Sequence, residues 1–138
     1  MPRLTLADAN DIIATALATG AEQGMKPLSV AVLDAGGHLI AFQRQDGASM
    51  LRFEIAFRKA NGALAIGVGS REIARMAVER PHLIMGLTGA RIMPVPGGVL
   101  VRRDGEIIGA VGITGDTSDN DEACAVAGIE RAGFVAEA

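Results

Sequence analysis

Among the charged residues of 44–59, two cations and two carboxylates are candidates for chemistry: Arg44, Asp46, Glu54 and Lys59. Arginine and lysine can hold a carboxylate through charge-assisted hydrogen bonds, and a neighbouring Asp or Glu can move a proton. This chemistry would suit a polar pocket for a small organic acid, with Glu54, Lys59 and Asp46 as candidate catalytic residues and Arg44 as a ligand-binding residue. The alternative is a solvated helix face on which Glu54 forms a salt bridge with Arg58, four residues later.

A glycine-rich stretch over residues 94–115 could place bare backbone against a ligand. Its Asp104-Gly105 pair lies between two β-type runs and predicts a hairpin. Gly97, Gly98 and Gly112 leave room beside the strands, either for a ligand or for a closely packed helix. Both alternatives stay open at this point, so the three glycines are candidate ligand-binding positions.

Four acidic residues follow this stretch: Asp116, Asp119, Asp121 and Glu122. Such oxygen ligands could hold a divalent cation, but the segment lacks the glycine and the distant glutamate of an EF-hand loop. The helix dipole also favours acidic residues in a first helical turn, and Ser118 has the spacing of an N-terminal cap. We therefore predict the start of a helix here and no metal site.

The two imidazoles of the sequence are His38, in a predicted turn, and His82. His82 is the better candidate for ligand binding, because the glycine-rich segment after it also carries two methionines and Arg91 and could shape a pocket. The alternative is that each histidine is structural or exposed. Cys124 is predicted to be a core residue, because no basic neighbour in the sequence would lower its pKa.

Apolar residues at three- and four-residue spacing predict the helices that position these side chains. Thr5, Ser49 and Ser70 are expected to cap the first three helices, and Pro81 is expected to stop the third. The predicted helices cover residues 5–20, about 50–66, 70–80 and about 119–134.

A Val-rich apolar run at residues 28–33 and a second β-type run at residues 39–43, joined by a turn, predict a first hairpin that resembles the later one around Asp104-Gly105. Residues 81–93 are predicted to be mostly loop. Strands joined by hairpins form an antiparallel sheet, which needs a cover of helices on at least one face. The pattern therefore predicts an α+β sandwich with four or five strands.

The composition limits the classes of function. The chain has 138 residues, enough for one domain, and its formal net charge is −3 with no Trp or Tyr. Nucleic-acid binding is not expected, because that activity uses basic patches and aromatic stacking. No run is long and apolar enough to span a membrane, and the first ten residues do not look like a signal peptide. With a single cysteine as well, a cytoplasmic protein is expected.

Several motifs together resemble those of the GlcG/HbpS family, the haem-degrading family that includes the C-terminal domain of PduO-type proteins. They are RQDGA at 44–48, PGGV at 96–99, DGEIIGAVGITG at 104–115 and NDEACAVAG at 120–128. The resemblance covers nearly the whole chain in the same order. It implies a single domain over residues 1–138, with a profilin-like fold in which a five-stranded antiparallel sheet packs with about four helices. It also implies a symmetric homo-oligomer, from dimer to octamer.

The resemblance further implies a small-ligand-binding protein, with haem or a small organic acid as the ligand, because some members of the family bind haem. In that setting Thr114 is a candidate haem ligand, and Arg52 joins the ligand-binding candidates. The pocket is expected between residues 44–59 and the loop at 112–122, near a subunit interface. Two alternatives stay open: a catabolic enzyme, such as a hydrolase, hydratase or isomerase of an unsaturated acid, and a structural oligomer without a ligand.

Overall fold

A five-stranded antiparallel sheet organises the chain, of which a computed structural model describes residues 3–138. The strands lie in the order β2-β1-β4-β3-β5. The elements in chain order are α1 (Leu6–Glu22), β1 (Ser29–Asp34), β2 (Leu39–Arg44), α2 (Arg52–Ile66), α3 (Ser70–Glu79), α4 (Pro81–Gly86), β3 (Gly98–Arg103), β4 (Glu106–Thr114), α5 (Ser118–Arg131) and β5 (Val135–Glu137). This arrangement confirms the predicted α+β class and the five-stranded sheet.

Helices cover both faces of the sheet, and strand alternation decides which side chains each helix meets. Helices α1 and α5 pack together on one face, where Val30, Val111 and Ile113 belong to the larger apolar core. Helix α2 covers the other face, where the smaller cluster includes Leu33 and Leu100. Gly112 of β4 packs against the α2 backbone. Thr114, the last residue of β4, lies two positions later and therefore faces α2 as well.

The predicted cap of α1 is confirmed, whereas the other predicted helix caps are wrong. Thr5 and Asp8 form a reciprocal capping box at the start of α1. Helix α2 begins at Arg52 with no side-chain cap, and only the backbone carbonyl of Ser49 accepts a hydrogen bond from it. Thr117 rather than Ser118 caps α5, because the Thr117 hydroxyl accepts from the third backbone N–H beyond it.

Ser70 is the first residue of α3 and caps no helix. Its hydroxyl accepts a hydrogen bond of 2.6 Å from the backbone N–H of Gly98 instead, and this bond ties α3 to the start of β3. A serine hydroxyl can either cap a helix or accept a hydrogen bond from a distant part of the chain, so the sequence pattern alone does not distinguish these two roles.

Two further boundaries differ from the prediction. Residues 81–93 contain the short helix α4, because Pro81 ends α3 and also suits the first position of a new helix. The last helix ends at Arg131. Two residues later Gly133 adopts a φ of 92°, and the Phe134 N–H donates a hydrogen bond back to the Ile129 carbonyl. This Schellman-type ending turns the chain into the fifth strand, β5.

Candidate functional site

Helix α2 begins above one end of the sheet, and its first residue contacts the last residue of β4 there. The Arg52 guanidinium donates a hydrogen bond of 2.8 Å to the Thr114 hydroxyl. Thr114 is 2% exposed and Arg52 is half-buried. The structure therefore brings together two of the ligand-binding candidates, which lie 62 residues apart in the sequence.

Ser29 lies in the same row of the sheet and was missed by the sequence analysis. It pairs with Thr114 of β4 on one side and with Arg44 of β2 on the other. Residues directly opposite each other in an antiparallel pair project from the same face, about 5 Å apart. We call these three residues, Arg44, Ser29 and Thr114, the polar row; it faces the start of α2. The only signal in the sequence was a serine in an otherwise apolar run.

Lys59 is on the same face of the sheet, but it lies in the interior. Its ammonium donates to the Ile113 carbonyl at 2.9 Å and to the Asp121 carboxylate at 3.3 Å, and both side chains of this pair are at most 3% exposed. The second oxygen of Asp121 accepts from the backbone N–H of Asp116. Burial lowers the pKa of Lys59 and raises the pKa of Asp121, while each charge partly offsets this effect on the other.

The other two catalytic candidates lie elsewhere. The Glu54 carboxylate accepts from Arg58 at 2.7 Å and from Arg91 at 2.9 Å, and the Arg58 hydrogen bond is the main reason that the pKa of Glu54 is lowered. The predicted pair of Glu54 and Arg58 is therefore confirmed. Asp46 instead lines a groove on the α1 side of β2. The structure does not bring Glu54, Lys59 and Asp46 to one place, and a catalytic role for each stays a prediction.

The groove beside Asp46 is open and has a volume of about 560 Å³. Residues from the C-terminal half of α1, the turn after it and the end of β2 form its walls. They are Leu17, Ala21, Met25, Pro27, Gln43, Arg44, Gln45 and Asp46. Arg44 thus borders both this groove and the polar row beneath α2.

The three candidate glycines pack against helix α2. A Cβ atom at Gly98 would lie 2.1 Å from the Lys59 carbonyl oxygen, and one at Gly112 would lie 1.9 Å from the Ala56 carbonyl oxygen. A Cβ atom at Gly97 would lie 2.7 Å from the Ile113 carbonyl oxygen of β4 and 2.8 Å from the Lys59 ammonium. Close helix packing, one of the two alternatives for these glycines, therefore accounts for Gly98 and Gly112, whereas Gly97 is confined by β4 and the Lys59 side chain. Contact of the three glycines with a ligand stays a prediction.

Comparison with known proteins settles the family. The sequence profile of the family described as "Haem degrading protein HbpS-like" matches residues 4–130. The chain belongs to this family. The protein GlcG of Escherichia coli strain K12 is 35% identical over 101 residues, which cover 71% of this chain and 74% of GlcG. The resemblance found in the motifs is thereby confirmed.

Solved structures of HbpS-like proteins have the same fold. The crystal structure of HbpS is 29% identical, with a TM-score of 0.86 over 96% of this chain and 92% of that chain. The crystal structure of a PduOC–haem complex is 23% identical, with a TM-score of 0.87 over 96% of this chain and 97% of that chain. Because the PduOC chain is only 23% identical, this similarity shows a shared fold and nothing more.

The acidic group of this HbpS-like chain is engaged with its own neighbours. Asp119 and Glu122 pair with Arg71, and Asp121 pairs with Lys59. The fourth member, Asp116, accepts from Asn120 and from the Lys26 N–H, and these bonds hold its pKa at about 2. Across residues 3–138, no group of three or more His, Cys, Asp or Glu is arranged to hold a metal ion.

The remaining candidates of the HbpS-like chain lie apart from the polar row. His82 is exposed on α4, which packs on α3 and not on the sheet. Cys124 is fully buried in the larger core, and burial raises the pKa of its thiol to about 11, in agreement with a core role. In the part of the chain that the structure describes, no helix has both the length and the apolar character needed to cross a membrane.

Proposed function

We propose that this chain is a small-ligand-binding protein of the GlcG/HbpS type, with haem or a small organic acid as its ligand. The proposed binding site is the end of the sheet beneath the start of α2, at Arg52, Thr114 and Arg44. One observation carries the proposal: across residues 3–138, no carboxylate lies within salt-bridge distance of Arg44 or Arg52. Two arginines without an acidic partner beside a buried hydroxyl favour an anionic ligand.

The nearby charges support the same proposal. The Arg52 charge lowers the pKa of Lys59, although less than burial does, so the two cations lie close enough to repel each other. Asp121 offsets Lys59 but forms no salt bridge with Arg52. An anion bound at Arg52 would therefore relieve an excess of positive charge at this end of the sheet.

Haem is compatible with this arrangement through its propionate carboxylates, for which Arg44 and Arg52 are suitable partners. A related protein, PduOC, has been solved as a haem complex, and the family is described as haem-degrading. When bound, haem would supply the iron, and Thr114 is proposed as a ligand-binding residue beside the two arginines. A small organic acid would use the same two arginines through its own carboxylate.

Titration with haem tests the proposed function. We expect wild-type protein to shift the Soret band at micromolar haem, and Arg52→Gln to weaken binding about tenfold, since a hydrogen bond to a charged group contributes about 1.5–3 kcal/mol. Thr114→Val should weaken the binding of haem as well, because it removes a hydroxyl beside Arg52. Arg80→Gln, at an exposed arginine between α3 and α4, is the matched control and should bind as wild type does. His82→Ala tests the remaining ligand-binding candidate, and a lost Soret shift in that variant would make His82 a ligand.

A parallel titration with oxalate, succinate and fumarate, followed by thermal shift, covers the organic-acid form of the proposal. Stabilisation by one of them that is lost in Arg52→Gln would support it. If the wild-type protein neither changes the Soret band nor gains stability from any of these acids, ligand binding at this site is rejected.

We also propose that the chain forms a homo-oligomer, between dimer and octamer, with this site near a subunit interface. Met50 is 90% exposed and Leu51 is 61% exposed, and both directly precede Arg52. Exposed apolar side chains beside a binding site are typical of a surface that a partner covers.

Placing charges on this surface should reduce the size of the assembly. We expect Met50→Glu combined with Leu51→Glu to lower the mass measured by size-exclusion chromatography with light scattering, because burying carboxylates in an apolar interface is costly. Leu6→Glu introduces one carboxylate at the exposed start of α1, beyond the opposite face of the sheet, and should leave the mass unchanged. An unchanged mass in the double variant would exclude this surface from the interface.

A further inference from the structure

The Ser29 side chain is a buried polar group without a partner. Ser29 begins β1 and is 0% exposed, and its hydroxyl oxygen forms no hydrogen bond with any residue of 3–138. It is the one buried side-chain oxygen or nitrogen in that part of the chain for which this is true. A buried hydroxyl without a partner is rare in native proteins, because it has lost its bonds to water and gained none in return.

The groups around Ser29 are hydrogen-bond donors. Thr114, directly opposite on β4, accepts the Arg52 hydrogen bond, and its own hydroxyl proton has no acceptor within residues 3–138. Arg52 has only donors, and Thr114 is the one residue of that range to which its side chain donates. Two hydroxyl protons and a guanidinium thus lie together without a carboxylate, which is the acceptor-only group that would match all three.

We propose that Ser29, Thr114 and Arg52 together bind the carboxylate group of the ligand, an inference that rests on the proposed function above. The two hydroxyls donate to the carboxylate oxygens, and the Arg52 guanidinium turns from Thr114 to the same group. Arg44, opposite Ser29 on β2, adds positive charge at the exposed side. Because Ser29 and Thr114 are covered in the free protein, the carboxylate enters by displacing the half-buried Arg52 side chain.

This assignment predicts opposite effects of one substitution on stability and on binding. Ser29→Ala removes a hydroxyl that lacks a partner in the free protein, so its melting temperature should equal or exceed that of wild type. The same substitution removes a donor to the bound carboxylate, so haemin should bind about tenfold more weakly. Residues that are kept unsatisfied for binding commonly show such a trade-off.

Haemin and haemin dimethyl ester are the probes that separate carboxylate recognition from recognition of the iron and ring. We expect Ser29→Ala to weaken the binding of haemin, measured by the Soret band, and to leave the binding of the dimethyl ester unchanged. Where succinate stabilises the wild-type protein, Ser29→Ala should reduce that shift as well. Inorganic phosphate should not compete, and tighter binding of phosphate than of succinate would overturn the carboxylate assignment.

Ser70→Ala is the matched control, because it removes another fully buried serine hydroxyl next to α2. The Ser70 hydroxyl has a partner in the Gly98 N–H, so this variant should melt at a lower temperature and bind haemin as wild type does. If Ser29→Ala also melts lower and binds haemin normally, Ser29 is structural and the inference is wrong. If wild-type protein binds none of the probes, the proposed function itself fails.

Discussion

Lys59→Met is expected to lower the free energy of unfolding by about 3–5 kcal/mol, because it leaves a buried carboxylate without its counter-charge. Asp121 is 1% exposed, and its remaining hydrogen bond comes from the Asp116 backbone N–H. Burial already raises the pKa of Asp121 against the opposing effect of the Lys59 charge. Without Lys59, the carboxylate would have to take up a proton or draw water into the core.

Urea denaturation at fixed protein concentration measures this effect, and two further variants test its cause. Lys59→Met combined with Asp121→Leu removes both charges and should recover most of the lost stability, because an apolar pair of similar volume can replace a buried ion pair. Arg58→Met breaks the neighbouring pair with Glu54, whose side chains are 39% and 37% exposed, and should cost about 1 kcal/mol or less. If Lys59→Met is no more costly than Arg58→Met, the buried pair is not a major source of stability.

The buried pair also shows where sequence analysis reached its limit. The interpretation of Lys59 as a candidate catalytic residue in a polar pocket considered its neighbours between residues 44 and 59. Its actual partner, Asp121, lies 62 residues further along the chain, in a group that was interpreted as the first turn of a helix. That interpretation was correct for the backbone, but helix position alone does not reveal which carboxylate points to the interior.

Features set by local sequence were predictable. The Thr5 and Asp8 capping box, the hairpin at Asp104-Gly105 and the pair of Glu54 with Arg58 each depend on residues a few positions apart, and the structure has all three. The family motifs added the five-stranded sheet. The proposed site depends instead on strand pairing across the sheet, because Ser29 meets Thr114 only when β1 pairs with β4. No local pattern distinguishes Ser29 from a serine on the surface.

Gly112→Ala is expected to lower the free energy of unfolding by about 3 kcal/mol, at the upper end of the range for overpacked cores. The added Cβ would lie 1.9 Å from the Ala56 carbonyl oxygen and 2.9 Å from the Ala60 backbone nitrogen. Both atoms belong to the α2 backbone, so no side-chain rotation relieves the clash and the helix must move away from the sheet. Alanine is otherwise favoured over glycine within a strand, so a loss of stability would come from this contact.

Gly86→Ala is the matched control for this substitution, because a Cβ at that helical position would meet no atom within 4 Å. It should leave stability unchanged or raise it by about 0.5–1 kcal/mol. Since α2 also carries Arg52, lifting the helix should separate Arg52 from Thr114, so Gly112→Ala is expected to weaken ligand binding together with stability. A Gly112→Ala protein as stable as Gly86→Ala would mean that α2 does not rest on the sheet at Gly112, and the Arg52–Thr114 contact would lose its structural basis.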